Sequence, residues 1–206
     1  MIIMNRIDRA SALSFLGIRG EPGRETKALF DKYEPLLLEK ISPRYVYKAF
    51  PFGAESACYA ILQGGDIKEH INGCDEAVLL AVTLGTQVDG LIRSAEASEM
   101  AGAVVLDAMA SAAAEQVCDY AEAEIRSGYQ KITTRYSPGY GDFPLSVQNG
   151  LLQALEAGRK IGLYANESGL LIPGKSVTAV IGAVRGAMRG AMRGANPISF
   201  NKGAEN

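Results

Sequence analysis

An apolar run followed by a long alanine-rich segment most constrains how this chain can fold. The run AVLLAVTL covers residues 77–84 and is followed by Gly85 and Thr86. An apolar run of this length that ends at a glycine predicts a buried strand. A helical region follows to about Arg126, and Ser98 could cap a second helix within it, so one helix or two meeting near residue 98 are both allowed. In this region apolar residues recur at spacings of three and four: Ala101, Val104, Val105, Ala108, Met109, Ala112, Val117 and Tyr120.

Shorter patterns on either side of this region predict a mixture of strands and helices. Residues 24–41 have the apolar spacing of a helix, which Pro35 should kink or divide. Further strands are predicted at 44–52, 56–63 and 129–136 and, as short runs, within 160–184; a further helix is predicted at 146–157. Because helices and strands do not alternate regularly, the order of elements predicts an α+β fold and not a doubly wound sheet.

Charge and cysteine usage exclude several classes of function. A net charge of −2 indicates no nucleic-acid footprint. The single histidine, His70, cannot build a multi-histidine metal site, so no metal is predicted. The three cysteines show no CxxC spacing, which is typical of reduced thiols in a reducing compartment. With no predicted signal peptide and no predicted transmembrane segment, we expect a soluble, cytoplasmic protein with no membrane contact.

The segment 135–140, RYSPGY, carries the densest set of ligand-binding residue types. Arg135 can bind a carboxylate through two parallel hydrogen bonds. Pro138 fixes a backbone angle, and Gly139 suits a position of positive φ or close ligand approach. Tyr140 can stack on a ligand or form a hydrogen bond with it. From these residues alone, an ordinary turn between a strand and a helix remains the simpler interpretation.

The longer segment 135–144, RYSPGYGDFP, resembles the Arg-x-x-x-Gly-Tyr motif, followed by a nearby Pro, of the activation domain of cobalamin-dependent methionine synthase. Two softer matches follow the family's order: 112–125 resembles its acidic helix, and 172–182 resembles its Pro-Gly-x-Ser-Val segment. The resemblance covers roughly 77–182 and is closer to the smaller free-standing members. It implies a C-shaped single α+β domain with a twisted, mainly antiparallel sheet and packed helices, and S-adenosylmethionine in a groove on the concave side.

The resemblance also assigns roles to individual residues. Arg135 would pair with the carboxylate of the ligand, and the backbone of Ser137 would contact the ligand. Gly139 would permit the turn, and Tyr140 would line the site. Glu115 would accept hydrogen bonds from the polar groups of the ligand. A carboxylate together with an Arg is the combination that a zwitterion requires.

Glu115 has a second interpretation that the sequence leaves open. Asp119, Glu122 and Arg126 follow it at helical spacing, so all four could belong to a solvated helix face with a Glu122–Arg126 pair. Arg135 is the residue on which the functional assignment depends. If it pointed away from any cleft, or were locked in an internal ion pair, only the fold assignment would remain.

The function implied by the resemblance is that of an accessory protein and not of an independent catalyst. It would bind S-adenosylmethionine and support reductive methylation of cob(II)alamin carried by a methionine synthase or related corrinoid protein, with a flavodoxin-type electron donor. The loop formed by Ile172, Pro173 and Gly174 is the candidate corrin-facing edge. The alternatives are a non-catalytic S-adenosylmethionine sensor and an interaction module with the same fold. A conventional methyltransferase is disfavoured, because its Gly-rich first loop is not visible.

The chain is predicted to form one domain over 1–184. Residues 1–75 would be its N-terminal part, and 76–184 its ligand-binding part. The repeat AVRGAMRGAMRGA at 183–195 would align Arg185, Arg189 and Arg193 if it were helical. Because each interior Gly costs about 1 kcal/mol relative to Ala, we expect 185–206 to be a flexible tail, although three arginines could also meet an acidic partner.

Overall fold

The computed structural model describes residue 2, residues 4–52 and residues 57–186. Within these ranges the helices are α1 (Arg9–Phe15), α2 (Arg24–Lys40), α3 (Gly65–His70), α4 (Thr86–Ser98), α5 (Met100–Ser127), α6 (Gln148–Leu155) and α7 (Ala157–Ile161). The strands are β1 (Arg44–Pro51), β2 (Glu76–Thr83), β3 (Lys131–Ile132), β4 (Tyr164–Ala165), β5 (Leu171–Ile172) and β6 (Ser176–Val184). Short 3-10 helices lie at Ala57–Ala60 and Leu145–Val147.

Four strands form one antiparallel sheet in the order β1, β2, β6, β3. In its centre β2 pairs with β1 on one side and with β6 on the other, and all eight residues of β2 are buried. The apolar run at 77–84 is therefore the buried strand that the sequence predicted. The remaining strands, β4 and β5, form a separate antiparallel pair. The predicted α+β class with a mainly antiparallel sheet is confirmed.

Helices cover both faces of the sheet, because alternate residues of β2 point to opposite sides. Val78, Leu80 and Val82 belong to an apolar cluster with α2 and α5. On the other face, Leu79 belongs to a second cluster with α3, α6 and α7. Side chains at i and i+2 of a strand share a face, so one continuous apolar strand can serve two cores. The sheet is thus the middle of three layers.

The long helical region divides into two helices near residue 98, one of the two outcomes that the sequence left open, but Ser98 is not the cap. Glu99 leaves helical geometry with φ −154° and ψ 93°, which ends α4 and begins α5. Ser98 is the last residue of α4, and its hydroxyl donates to the carbonyl of Ser94 at 3.1 Å. Glu99 is held from outside its own helix, because its carboxylate accepts hydrogen bonds from Lys32 and Tyr33.

Helix α5 packs its small residues against the sheet and the neighbouring helices. Its buried residues include seven alanines and Gly102, whereas the larger Val104 and Tyr120 are exposed despite their helical spacing. By length and composition α5 could cross a membrane, but 67% of its most apolar window is buried inside the fold. That burial is the behaviour of a core helix.

Two local predictions were wrong for identifiable reasons. Residues 56–63 were predicted to be a strand, but Ala57–Ala60 form a 3-10 helix. The buried residues are Cys58, Ile61 and Leu62, a spacing of three and four that is typical of a helical turn. Of the two outcomes predicted at Pro35, a kink or a division, the division is absent, since α2 continues through it from Arg24 to Lys40.

Candidate functional site

The segment that carries Arg135 runs along the outer edge of β6. The amide of Thr133 donates to the carbonyl of Gly182 at 2.8 Å, and Tyr136 and Val180 exchange backbone hydrogen bonds at 2.9 and 2.8 Å. Strand geometry is regular only at β3, yet residues 131–136 stay beside β6 throughout. Tyr136 packs against the second apolar cluster, while the guanidinium of Arg135 contacts α5 on the opposite side of the sheet.

Arg135 is ion-paired with three carboxylates of α5. Its Nη2 lies 2.9 Å from Oε2 of Glu115. Its Nη1 lies 2.9 Å from Oδ1 of Asp119 and 3.0 Å from Oε2 of Glu122. The structure therefore brings Glu115 and Arg135 together, 20 residues apart in sequence, and adds two carboxylates for which the resemblance had assigned no role.

These ion pairs differ in how firmly they hold the guanidinium. The Arg135 side chain is 19% exposed and Glu122 is 18% exposed, whereas Glu115 is 39% and Asp119 is 70% exposed. Exposed ion pairs contribute about 0–1 kcal/mol, and removing one partner of a buried pair costs about 3–5 kcal/mol. The pair with Glu122 is thus the most sheltered of the three, and the pair with Asp119 is the most exposed.

The negative surroundings keep Arg135 charged. Burial alone would lower the pKa of its guanidinium, but the hydrogen bond to Asp119 and the charges of nearby Glu115 outweigh that effect and raise the pKa. The neighbouring Cys118 is held in its neutral form. Burial, aided by the charge of Glu115, raises the pKa of its thiol to about 12. A protonated, buried thiol is a poor nucleophile.

One side of α5 forms an acidic face that continues beyond Arg135. We use "acidic face" for Asp107, Ser111, Glu115, Asp119 and Glu122, which follow one another at spacings of four, four, four and three. At its other end Lys175 lies 2.8 Å from Oδ1 of Asp107, and its Nζ donates to Ser111 at 2.9 Å. One cation therefore sits at each end, with Glu115 between them.

The loop of Ile172, Pro173 and Gly174 lies near the Lys175 end of the acidic face. The amide of Gly174 donates to Oδ2 of Asp89 in α4 at 2.9 Å. Ile172 is 52% exposed, and the peptide bond between Ile172 and Pro173 is cis. Of the predicted corrin-facing residues, Ile172 at the end of β5 and Gly174 are thus exposed, whereas Pro173 is buried.

A shallow depression of about 380 Å³ lies next to this end, between α1, α4 and α5. Phe15, Met100 and Val104 supply its apolar lining, and it shares Asp107 and Ser111 with the acidic face. It includes none of the predicted ligand-binding residues. The cavity therefore does not coincide with Arg135.

The turn after Arg135 has the geometry that its glycine predicted. Gly139 has φ +97°, and its amide donates to the carbonyl of Phe143 at 2.8 Å. The amide of Tyr140 donates to the carbonyl of Ser137 at 3.3 Å. Tyr140 is 68% exposed, with its ring centroid 6.5 Å from that of Tyr136. The turn thus presents an aromatic ring to solvent on the side of Tyr136, whereas the guanidinium of Arg135 contacts α5.

Helix α3 holds the turn from the other side. At the N-terminus of α3, the backbone amides of Gly65 and Asp66 donate to the two carboxylate oxygens of Asp142, at 2.5 Å and 3.0 Å. In return, Oδ2 of Asp66 accepts from the amide of Asp142 at 3.1 Å. At the other end of α3, Nε2 of His70 lies 2.8 Å from the carbonyl oxygen of Thr134. Sequence patterns gave no sign of these contacts between distant segments.

Other predicted features have simpler roles in the structure. The Glu122–Arg126 pair of the solvated-face interpretation is present at 2.7 Å, beside the contact of Glu122 with Arg135. Arg185 pairs with Glu76 at 2.5 Å, whereas Arg189 and Arg193, with the rest of the predicted flexible tail, lie outside the described residues. Among the described residues, no group of three or more His, Cys, Asp or Glu is placed to hold a metal ion.

Comparison with known proteins supports the fold and leaves the family open. No family model matches the chain, and no curated protein matches it. Among solved structures, the chain is similar to one described as the MetH reactivation domain bound to AdoHcy, with a TM-score of 0.60 and 20% sequence identity. That similarity covers 90% of this chain and 76% of the other. The chain therefore has the fold of the methionine synthase reactivation domain.

Proposed function

We propose that this protein binds S-adenosylmethionine at Arg135 and Glu115 and acts as an accessory protein for a corrinoid methyltransferase. The observation that supports the proposal is the 2.9 Å contact between Nη2 of Arg135 and Oε2 of Glu115. The family resemblance assigns these two residues to the two charged groups of one ligand, and the fold places them in contact. A similar fold that binds AdoHcy gives the proposal its structural setting.

The ion pairing of Arg135 determines how a ligand would enter. The amino-acid end of S-adenosylmethionine carries a carboxylate and an ammonium group. Inserted between Arg135 and Glu115, it would replace one ion pair by two, with its carboxylate on Nη2 and its ammonium on Glu115. Glu122 would keep hold of Nη1 during this exchange, so the guanidinium would stay in place. Arg135 thus has the internal ion pairing that was expected from the sequence to leave only the fold assignment, and the proposal requires a ligand to displace the pair with Glu115.

The turn supplies the remaining predicted contacts. The backbone of Ser137 would contact the ligand, and Gly139, which has no side chain, would permit the turn. The exposed ring of Tyr140 would line the site. None of these groups is a general acid or base. The protein would therefore contribute positioning of the sulfonium, and not proton transfer.

A partner surface next to the site fits an accessory role. Tyr140, Tyr164, Leu170 and Ile172 are all more than half exposed. They lie on the ligand turn and on β4, β5 and their connection. A Cβ added to Gly139 would lie 3.7 Å from Leu145 and one added to Gly169 would lie 2.9 Å from it, so Leu145 is located between the two regions. Exposed apolar groups gathered in this way are typical of interaction sites. We assign this surface, with the loop of Pro173 and Gly174, to the corrinoid-bearing partner.

The chemistry in this proposal belongs to the partner and the ligand. A flavodoxin-type donor would supply one electron to cob(II)alamin on the partner, and the sulfonium would give its methyl group to the reduced cobalt, leaving S-adenosylhomocysteine. The residues described here would hold the nucleoside and orient its methyl group. A cytoplasmic location is part of the proposal, because these partners and the reduced thiols belong to that compartment.

Thermal unfolding with and without S-adenosylmethionine tests the binding site. At about 100 times its dissociation constant, a one-site ligand adds roughly 2.7 kcal/mol of stability. For a chain of this size, that corresponds to about 5–11 °C in Tm. We expect the shift to disappear in Arg135→Ala. Arg126→Ala is the matched control, because Arg126 contacts the same Glu122 but is 59% exposed and lies outside the proposed site. A full shift in Arg135→Ala, or none in the wild type, would reject the site.

A reconstituted reaction separates the accessory role from the alternatives. A methionine synthase inactivated in its cob(II)alamin state would be mixed with reduced flavodoxin, S-adenosylmethionine and this protein. Recovery of methyl transfer that requires the protein and is lost with Arg135→Ala would support the accessory role. Binding without recovery would favour a sensor. Partner capture without any ligand binding would favour an interaction module.

A further inference from the structure

The ligand turn is fixed at both of its ends by one short helix. His70, the last residue of α3, meets the carbonyl of Thr134, immediately before Arg135. The first residues of α3 meet Asp142, two residues after Tyr140. Every residue that the proposed function assigns to the turn therefore lies between two contacts with α3. The sequence separations of these contacts are 64 and 76–77 residues.

The Asp142 end is a reciprocal clamp that leaves no space for side chains. Each of Asp66 and Asp142 accepts from the backbone amide of the other segment. A Cβ added to Gly64, which has φ +115°, would lie 2.5 Å from Oδ1 of Asp142. A Cβ added to Gly141 would overlap the carboxylate of Asp66 and approach the hydroxyl of Tyr136 within 2.7 Å. The start of α3 and the end of the turn therefore approach each other through the backbone of Gly64 and Gly141. This close approach leaves the two segments a narrow range of positions relative to each other.

The hydrogen bonds that the carboxyl group of Asp142 accepts in the clamp favour its ionised form. The amides of Gly65 and Asp66 lower the pKa of this carboxyl below its usual range. Two N–H donors at a helix N-terminus favour a carboxylate through both hydrogen bonding and the helix dipole. The clamp is therefore complete at neutral pH.

The His70 end combines a hydrogen bond with ring packing. The centroid of the His70 ring lies 5.0 Å from that of Tyr136, and Tyr136 in turn contacts Tyr140 and Phe143. Because a carbonyl oxygen can only accept, Nε2 of His70 is the protonated nitrogen and donates a hydrogen bond to the carbonyl of Thr134. His70 thus restrains the backbone on which Arg135 begins the turn.

We propose that Asp142 and His70 are positioning residues for the ligand turn, and that occupation of the turn is coupled to the N-terminus of α3. This inference rests on the proposed function. Neither residue contacts Arg135, so each would act through the backbone of 134–142. A misplacement of about 1 Å at a binding site is enough to lower function strongly. Loss of either anchor would therefore weaken ligand binding beyond its effect on global stability.

Removal of the Asp142 cap gives the sharpest test, because the chain contains a matched cap far from the turn. Asp8 caps α1 in the same way, since its Oδ1 accepts from the amides of Ala10 at 3.0 Å and Ser11 at 3.3 Å. Asp142→Ala and Asp8→Ala would both be measured for Tm and for S-adenosylmethionine affinity by titration calorimetry. We expect affinity to fall at least tenfold in Asp142→Ala and to stay within twofold in Asp8→Ala.

A conservative variant and hydrogen exchange complete the test. Asp142→Asn keeps one acceptor oxygen, so its affinity should lie between those of the wild type and Asp142→Ala; it also replaces the alanine variant if that fails to fold. Ligand should slow exchange at the amides of Gly65 and Asp66 in the wild type and leave those of Ala10 and Ser11 unchanged. Equal affinities in wild type and both Asp142 variants would reject the positioning role alone. No binding by the wild type would reject both this inference and the proposed function.

Discussion

At the scale of single residues, Arg135 divides its two terminal nitrogens between different partners. Nη1 contacts Asp119 and Glu122, and Nη2 contacts Glu115. The importance of Arg135 and Glu115 could be proposed from sequence, because a motif and an acidic helix preserve their local patterns. Asp119 was also visible at helical spacing, but its contact with Arg135 depends on how β6 sets the edge segment beside α5. A local sequence pattern therefore cannot predict the contact between Asp119 and Arg135.

Replacement of Asp119 should strengthen ligand binding. Asp119 is largely exposed and pairs with Nη1, next to the Nη2 at which the ligand carboxylate would bind, so Asp119→Asn would remove a negative charge that repels that carboxylate. An exposed pair is worth about 0.2–1 kcal/mol, which corresponds to an increase in affinity for S-adenosylmethionine of up to roughly fivefold. Titration calorimetry at low ionic strength measures the change.

The control for this prediction is another exposed Arg–Asp pair. Asp31 contacts Arg9 at 2.8 Å with comparable exposure, on α2 and away from the turn. Asp31→Asn should leave affinity unchanged. A lower affinity in Asp119→Asn would mean that this carboxylate contacts the ligand and does not repel it.

At the scale of elements, α5 shows which predictions a periodic pattern supports. The helical character of residues 86–127 could be predicted because the pattern is long, but the sequence left open whether it divides near residue 98, and the residue that divides it is Glu99 and not Ser98. The prediction of a strand at 56–63 failed because a short apolar run has the composition of either element, and burial at 58, 61 and 62 decided for a helical turn. The exposure of Val104 and Tyr120 depends on which side of α5 meets the sheet, and helical spacing alone does not specify that side.

Two helix glycines should respond in opposite ways to substitution by alanine. A Cβ on Gly102 of α5 would overlap the ring of Tyr33 and approach the carboxylate of Glu99, whereas a Cβ on Gly90 of α4 meets nothing within 4 Å. Gly90→Ala should stabilise the protein by about 0.5–1 kcal/mol through helix propensity. Gly102→Ala should destabilise it by about 1–3 kcal/mol through overpacking.

Urea unfolding followed by circular dichroism measures both glycine variants. The comparison is internal, because each variant adds one methyl group to a helix interior. Equal effects of the two variants would show that α5 and Tyr33 are packed less closely than described here.

At the scale of the whole molecule, tyrosines limit the stability of the fold at high pH, and carboxyl groups elsewhere limit it at low pH. Tyr45 and Tyr47 of β1 donate to one carboxylate, that of Glu124 in α5, and so join the sheet to the helix layer. Burial and the hydrogen bond to Glu124 raise the pKa of Tyr47 to about 12 and also raise that of Tyr45. At the acidic end, hydrogen bonds to Gly65 and Asp66 lower the pKa of Asp142, and Lys32 and Tyr33 lower that of Glu99.

These shifts predict a stability maximum near neutral pH with losses on both sides. A tyrosine whose pKa is raised by folding binds its proton more tightly in the native state. Its stabilising contribution is complete below the unfolded pKa of about 10 and declines as pH rises from there through about 12. A carboxyl with a lowered pKa contributes above the unfolded value of about 4, and its contribution declines as pH falls below that value.

Thermal unfolding across pH 3–11 measures this profile, with Tyr47→Phe as the test of its alkaline side. Because Phe cannot ionise, the variant should lose less stability than the wild type between pH 9 and 11, even if it is less stable at pH 7. An unchanged alkaline slope would assign the loss to other groups.

The central position of β2 has a consequence for how the protein is made. Its partner β6 follows about 93 residues later in the chain, as the hydrogen bond between Ser176 and Thr83 illustrates. During synthesis on the ribosome, β2 therefore emerges with β1 on one side and an open apolar edge on the other. Such an edge can pair with another nascent chain. We expect β2 to need protection, for example by a bound chaperone, during the synthesis of residues 84–176, until β6 is available to pair with it.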